Sequence, residues 1–126
     1  MRRTLTAIAC IAAVAVVAGC GESDQEQARE VAQEYVDASN DGDFEKICEL
    51  YSEEFIAQLG AADCPAFVEE QSSGVEQTLE LVEVRASEDR ATAEIDAIRE
   101  EEGGPARIVA QLEPDDDGEW RITAFQ

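Results

Sequence analysis

The sequence predicts an α+β domain in which helices come first and an antiparallel meander follows. Apolar residues recur at three-and-four spacing from Ala28 to Leu59, the signature of helices with one buried face. At Ser72-Ser73-Gly74 the period changes to alternation. Four alternating runs then follow on turn-rich connections, an antiparallel meander after the helices. One curved four-stranded sheet with the N-terminal helices packed on a single face buries all these stripes at once.

The first helix opens at Ser23-Asp24-Gln25-Glu26, a capping box in which Ser23 accepts from the amide near Glu26. Ala28, Val31, Ala32, Tyr35 and Val36 line its inner face, and Ser39-Asn40-Asp41-Gly42 ends it. Asp43 is placed to cap a second helix whose buried side is Phe44, Ile47, Cys48 and Tyr51. Ser52 caps a short third one that buries Phe55, Ile56 and Leu59, with Gly60 at its left-handed end. Pro65 suits a first helical turn, so a fourth helix is expected from about Pro65 to Gln71.

Residues 75 to 86 read as a strand with a slipped phase. Leu79 and Leu81 share one face while Val82, Val84 and Ala86 share the other, and a β-bulge near Leu81 accounts for the slip. The second strand turns Ala91, Ala93, Ile95 and Ala97 inward and Arg90, Thr92, Glu94 and Asp96 outward. Glu100 to Pro105 is a charged loop. Ile108, Ala110 and Leu112 form the buried side of a third strand, Pro114 to Gly118 turns, and Trp120, Ile122 and Ala124 close a fourth.

Ahead of the domain, Met1-Arg2-Arg3 leads into an apolar run from Leu5 to Ala18 interrupted only by Thr6, the layout of a secretory signal. A spanning helix needs about 20 apolar residues, so the run is too short to serve as one. Val17-Ala18-Gly19-Cys20 resembles the bacterial lipobox. That resemblance implies a lipoprotein signal peptide over residues 1–19, cleavage before Cys20, diacylglycerol on the Cys20 sulfur and N-acylation, with palmitate-length chains as the membrane anchor. Residues 20–24 then form a short tether, residues 25–126 the domain, and the address is the extracytoplasmic face of the cell membrane. An unlipidated secreted protein cut nearby is the alternative.

The chain holds 30 acidic and 9 basic residues, a formal net charge of −21. Arg2 and Arg3 leave with the signal peptide, so the mature chain keeps 7 basic against 30 acidic residues, a net charge of −23. Nucleic acid is excluded as a partner, because its affinity comes from Lys and Arg displacing counterions. Anionic headgroups repel the domain too, leaving membrane attachment to the acyl chains. With Cys10 discarded and Cys20 acylated, Cys48 and Cys64 remain, and outside the cytoplasm they are expected to pair. The rival, a catalytic or metal-binding thiol, needs histidine or further ligands, and the chain has no histidine.

Two helices joined by N-D-G-D at 40–43, then I-C-E-L-Y-S-E-E-F from Ile47 to Phe55, then strands ending W-R-I-T-A-F from Trp120 to Phe125, resemble the NTF2-like superfamily. The likeness is greatest to its small actinobacterial lipoproteins. It implies a cone whose concave sheet, roofed by helices, encloses a pocket open at one end, and in many relatives a homodimer formed through the sheet. Ketosteroid-isomerase-like and SnoaL-like members place an Asp base, often with His or Tyr, in that pocket, whereas many others have no known chemistry. This chain departs from the enzymatic pattern in lacking histidine.

An enzyme would need a desolvated carboxylate facing a hydrogen-bond donor across a dry cavity. Asp96 and Glu94, with Tyr35 or Tyr51, are the available candidates, and the two acids reach the pocket only if the small-residue face of their strand is the outer one. Asp115-Asp116-Asp117-Gly118 has the composition of a calcium loop without its spacing, since Gln126 stands where the bidentate Glu would be. No metal and no cofactor is expected. The first reading is a lipid-anchored binding or interaction domain whose partner is a small apolar ligand or an envelope protein. The second is a small isomerase, cyclase or dehydratase using a carboxylate base, and the third a structural envelope module.

Overall fold

The computed structural model describes residues 23–60, 62–99 and 105–126. The expected signal segment at 1–19, the acylated Cys20 and residues 100–104 of the charged loop lie outside the described residues. Four helices, α1 (Asp24–Asp41), α2 (Phe44–Leu50), α3 (Glu53–Leu59) and α4 (Cys64–Ser72), precede four strands, β1 (Thr78–Ala86), β2 (Ala91–Ile98), β3 (Ala106–Pro114) and β4 (Trp120–Phe125). The strands form one antiparallel sheet in the order β1-β2-β3-β4.

Each helix starts where a short polar side chain can satisfy an orphan amide. Ser23 Oγ accepts from Glu26 N at 3.1 Å, Asp43 from Lys46 N at 3.2 Å, Ser52 from Phe55 N at 3.0 Å and Asp63 from Ala66 N at 3.2 Å. Gly42, at φ 73°, ends α1 in the left-handed region that a Cβ disfavours.

The core lies between α1 and the sheet. Ala28, Ala32 and Val36 of α1 meet a face carrying Ala91, Ala93, Ile95 and Ala97 from β2, with Ala110 and Leu112 beside them on β3. Small side chains on both surfaces bring the helix close to the strands. Two amides at the ends of α1 then grip the free edge of β1. Asn40 accepts from Leu79 N at 2.8 Å and donates to Leu79 O at 3.0 Å; Gln25 accepts from Ala86 N at 3.0 Å and donates to Val84 O. Edge strands invite foreign pairing, and these side chains occupy both ends of this one as a neighbouring strand would.

Three details differ from the expectations. The bulge lies in β1 between Leu81 and Glu83, but Val82 is its extra residue and points to solvent, 45% exposed, instead of sharing a buried face with Val84 and Ala86. The slip keeps Leu79, Leu81, Val84 and Ala86 together on the core side, opposite Ala97, Ile95, Ala93 and Ala91. In β4, a second irregularity makes Thr123 the extra residue, so Ala124 pairs with Gln111 and Phe125 with Ala110. Phe125, not Ala124, therefore takes the inner place after Trp120 and Ile122. Finally, α3 has no fully buried residue. Its Phe55, Ile56 and Leu59 pack half-buried on the margin of the core, because α3 leans on β4 rather than lying across the sheet.

Candidate functional site

At one end of the cone four rings from four different elements meet. Tyr35 projects from α1, Tyr51 follows α2, Phe55 belongs to α3 and Phe125 ends β4. Tyr51 stacks edge-on against Phe55 at 4.9 Å between ring centres, and Phe125 lies 5.4 Å from Tyr35, 5.8 Å from Phe55 and 6.1 Å from Tyr51. Edge-on and tilted pairs at these separations satisfy the ring quadrupoles. Tyr51 is held in place by a parallel bridge to Ile122, and Ser52 N donates to Ile122 O at 2.9 Å.

The two hydroxyls are polar handles inside this apolar end. They belong to rings whose centres are 6.4 Å apart, with Ser39 one turn further along α1 from Tyr35. Burial pushes the Tyr35 hydroxyl above its ordinary value, opposed by the neighbouring Ser39 and Tyr51 hydroxyls. Tyr51 is raised further, first by burial and then by the neighbouring Tyr35. Both are neutral across the physiological range, and the pair can donate a hydrogen bond but cannot serve as a base there.

Glu94 and Asp96 are nowhere near the rings. Alternation along β2 places them on the sheet face away from the helices, where Arg107 Nε donates to Asp96 at 2.6 Å and Arg107 Nη1 to Glu94. The small-residue face of β2 is the inner one, so the condition under which these acids would enter the cone is not met. Among the described residues no charged or polar residue is fully buried. Tyr35 and Tyr51 are thus brought together, and Asp96 and Glu94 are kept apart from them. The site residue that alternation missed is Phe125, hidden by the irregularity at Thr123.

A cleft of about 690 Å³ borders the aromatic end at Tyr51 and runs between the start of α3 and the β3–β4 turn, with Glu53, Glu54, Asp116, Asp117 and Cys48 among its walls. In that turn the Asp115 carboxylate is spoken for. Its Oδ1 accepts from Asp117 N at 2.8 Å and Glu119 N at 3.0 Å, and its Oδ2 from Arg121 Nε at 3.2 Å. The Glu119 amide, followed by Arg121, holds this carboxyl below the usual range. These contacts build a turn closed by its own hydrogen bonds. Among the described residues no cluster of three or more His, Cys, Asp or Glu is arranged to hold a metal, and no helix is long and apolar enough to cross a membrane.

Cys48 and Cys64 are bonded, with Cα atoms 6.1 Å apart across a sequence separation of 16. The bond ties α2 to the first turn of α4.

Helices on one face of a curved four-stranded antiparallel sheet, closing on an aromatic end, define the NTF2-like α+β cone. Solved structures share it. A SnoaL-like protein of unknown function from Burkholderia thailandensis superimposes with a TM-score of 0.57 at 15% identity, over 83% of this chain and 99% of that one. An NTF2-like protein of unknown function from Burkholderia xenovorans gives 0.55 at 20% identity, over 82% and 85%. A candidate ketosteroid isomerase from Kribbella flavida gives 0.55 at 23% identity, over 80% and 78%. No protein-family model matches the sequence, and no curated protein matches it.

Proposed function

We propose that this chain is a lipid-anchored extracytoplasmic interaction domain, an NTF2-like cone whose inner end is filled by its own rings and whose partner is another envelope protein. The observation that carries the reading is the packing of Tyr35, Tyr51, Phe55 and Phe125 into the space where an open cone would receive a ligand, with no buried carboxylate among the described residues. The lipobox-like Val17-Ala18-Gly19-Cys20 supports the anchor, and the Cys48–Cys64 bond suits an oxidising compartment. Two acyl chains hold where one is marginal, at about 0.8 kcal/mol per buried methylene. Cys20→Ser tests the anchor: the variant is expected in the soluble extracytoplasmic fraction, and its persistence in the membrane refutes lipid attachment. Native mass spectrometry of the mature protein from its own host tests the partner, with a co-purifying protein expected and a bound small apolar molecule contrary to the reading.

A second reading is favoured by one feature, the buried Tyr35–Tyr51 pair, ring centres 6.4 Å apart, in a fold shared with a candidate ketosteroid isomerase. In a small pocket enzyme that pair would polarise a substrate carbonyl by donating a hydrogen bond to its oxygen. Turnover of a 3-ketosteroid that falls in Tyr51→Phe would establish it; an inert wild-type protein removes this substrate class.

A further inference from the structure

Among the described elements, α4 is the one that stands away from the sheet. It packs chiefly on α2, and Cys64 is its single fully buried residue. Phe67 and Val68 are only half-buried. Every other fully buried residue lies in α1, α2, the sheet or at Tyr51, and α4 adds only Cys64 to that core, with Val68 packed half-buried against it. The covalent bond to Cys48 reinforces this thin packing against α2.

The two sulfurs have unequal surroundings. Cys64 is buried at 9% exposure, whereas Cys48 is half-buried and contributes to the wall of the cleft between α3 and the β3–β4 turn. Around Cys48 that cleft presents Glu49, Glu53, Glu54, Asp115, Asp116 and Asp117, against the one cation Arg121, itself paired with Asp115 and Glu119. A reductant must cross this negative field to reach the bond.

From these placements we infer that Cys48–Cys64 is a reducible latch on α4, opened through the acidic cleft by thiols whose remaining groups carry positive charge and shielded from anionic thiols. A thiolate attacks Cys48 Sγ, forming a mixed disulfide; the Cys48–Cys64 bond breaks, and its electron pair leaves on Cys64 Sγ, which takes a proton from water. A second thiolate attacks the external sulfur of the mixed disulfide and releases Cys48 as a thiolate, which is protonated in turn. Two thiols leave as one oxidised disulfide, and the protein holds two free cysteines. Opening frees α4 by local unfolding while α1 and the sheet persist. The inference is independent of the lipid anchor and of the partner proposed above.

Hydrogen exchange read by mass spectrometry on the full chain, before and after dithiothreitol, tests the latch. Peptides covering 64–72 are expected to lose protection at least about tenfold, with those covering α1 and β2 unchanged. Loss across β2 as well, or no change in α4, overturns the proposal. The Cys48→Ala/Cys64→Ala double variant is expected to reproduce the reduced pattern; protection of α4 in that variant also overturns it. The gate is tested by rates of reduction at matched thiolate concentration. At about 10 mM ionic strength cysteamine is expected to outpace 2-mercaptoethanesulfonate by at least about tenfold, and in 1 M salt, where the screening length falls to about 3 Å, the two converge. Equal rates at low salt overturn the gate.

Discussion

The two faces of β2 are made from the same eight residues and follow opposite rules. On the inner face Ala91, Ala93, Ile95 and Ala97 are each no more than 3% exposed and lie beneath α1 and its neighbours. On the outer face Thr92, Glu94 and Asp96 remain half-exposed, with Arg107 bridging the two acids. Inside, volume decides: alanines bring α1 close, and one isoleucine fills what they leave. Outside, only the balance of charge matters, and water relieves any mismatch. The comparison assigns stability to one face and solubility to the other.

Breaking the inner face has the largest expected effect. Ile95→Ala, at a side chain with no exposure, should cost about 2–5 kcal/mol of unfolding free energy in urea denaturation. A loss below about 1 kcal/mol would mean that the inner face is not close-packed. Overfilling the same interface is next. Ala32→Leu forces α1 off the strands and should cost about 1–3 kcal/mol, visible as a lower denaturation midpoint at unchanged slope.

The edge of β1 stands between the two faces. Asn40→Ala removes both bonds to Leu79 and should cost about 1–2 kcal/mol. It should also raise the concentration dependence of aggregation by uncovering part of the edge. Light scattering that stays flat would assign edge protection elsewhere.

Much of this architecture was legible because local signals agreed with the tertiary outcome. Ser23, Asp43 and Ser52 cap the helices they precede, Gly42 and Gly60 close two of them, and the alternation of β2 sorts its faces correctly. The slip in β1 was readable because Leu79-Leu81 and Val84-Ala86 stand out of phase within one long strand. Thr123 was not readable. In a six-residue strand Trp120, Ile122 and Ala124 already satisfy alternation, so nothing local says that Phe125 turns inward, and the fourth ring of the aromatic end was missed. The half-burial of α3 was hidden for a related reason: an apolar stripe shows which side packs, not how completely the rest of the fold covers it.

That aromatic end extends the inner-face rule to ionisation. Tyr35 and Tyr51 are the only tyrosines in the chain, so alkaline absorbance reports on this pair alone. Both hydroxyls are raised above 10.0 by burial, so their contribution to stability is complete below the unfolded value and is lost as pH climbs from there through the raised folded values. Tyrosinate absorbance at pH 10 should therefore fall below that of the unfolded chain and rise together with loss of near-ultraviolet circular dichroism. Titration near pH 10 with the fold intact would place the rings in water. Tyr51→Phe, which deletes only the hydroxyl, should cost about 1 kcal/mol.

The outer face carries the smallest expected effect, and the comparison depends on its being small. Glu94→Gln with Asp96→Asn removes two charges from a surface that has an acidic excess, while the amides can still accept from Arg107. Exposed ion pairs contribute little because solvent and salt already screen them. The lost attraction to Arg107 is offset by relief of repulsion from Glu83, which pairs directly across from Glu94. The melting temperature should stay within about 2 °C of wild type at 0.15 M salt and show no consistent sign between low and high salt. A drop comparable to that of Ile95→Ala would show that this face is covered in the native assembly. The two acids would then belong to an interface, and the division between a face set by volume and a face set by charge would fail.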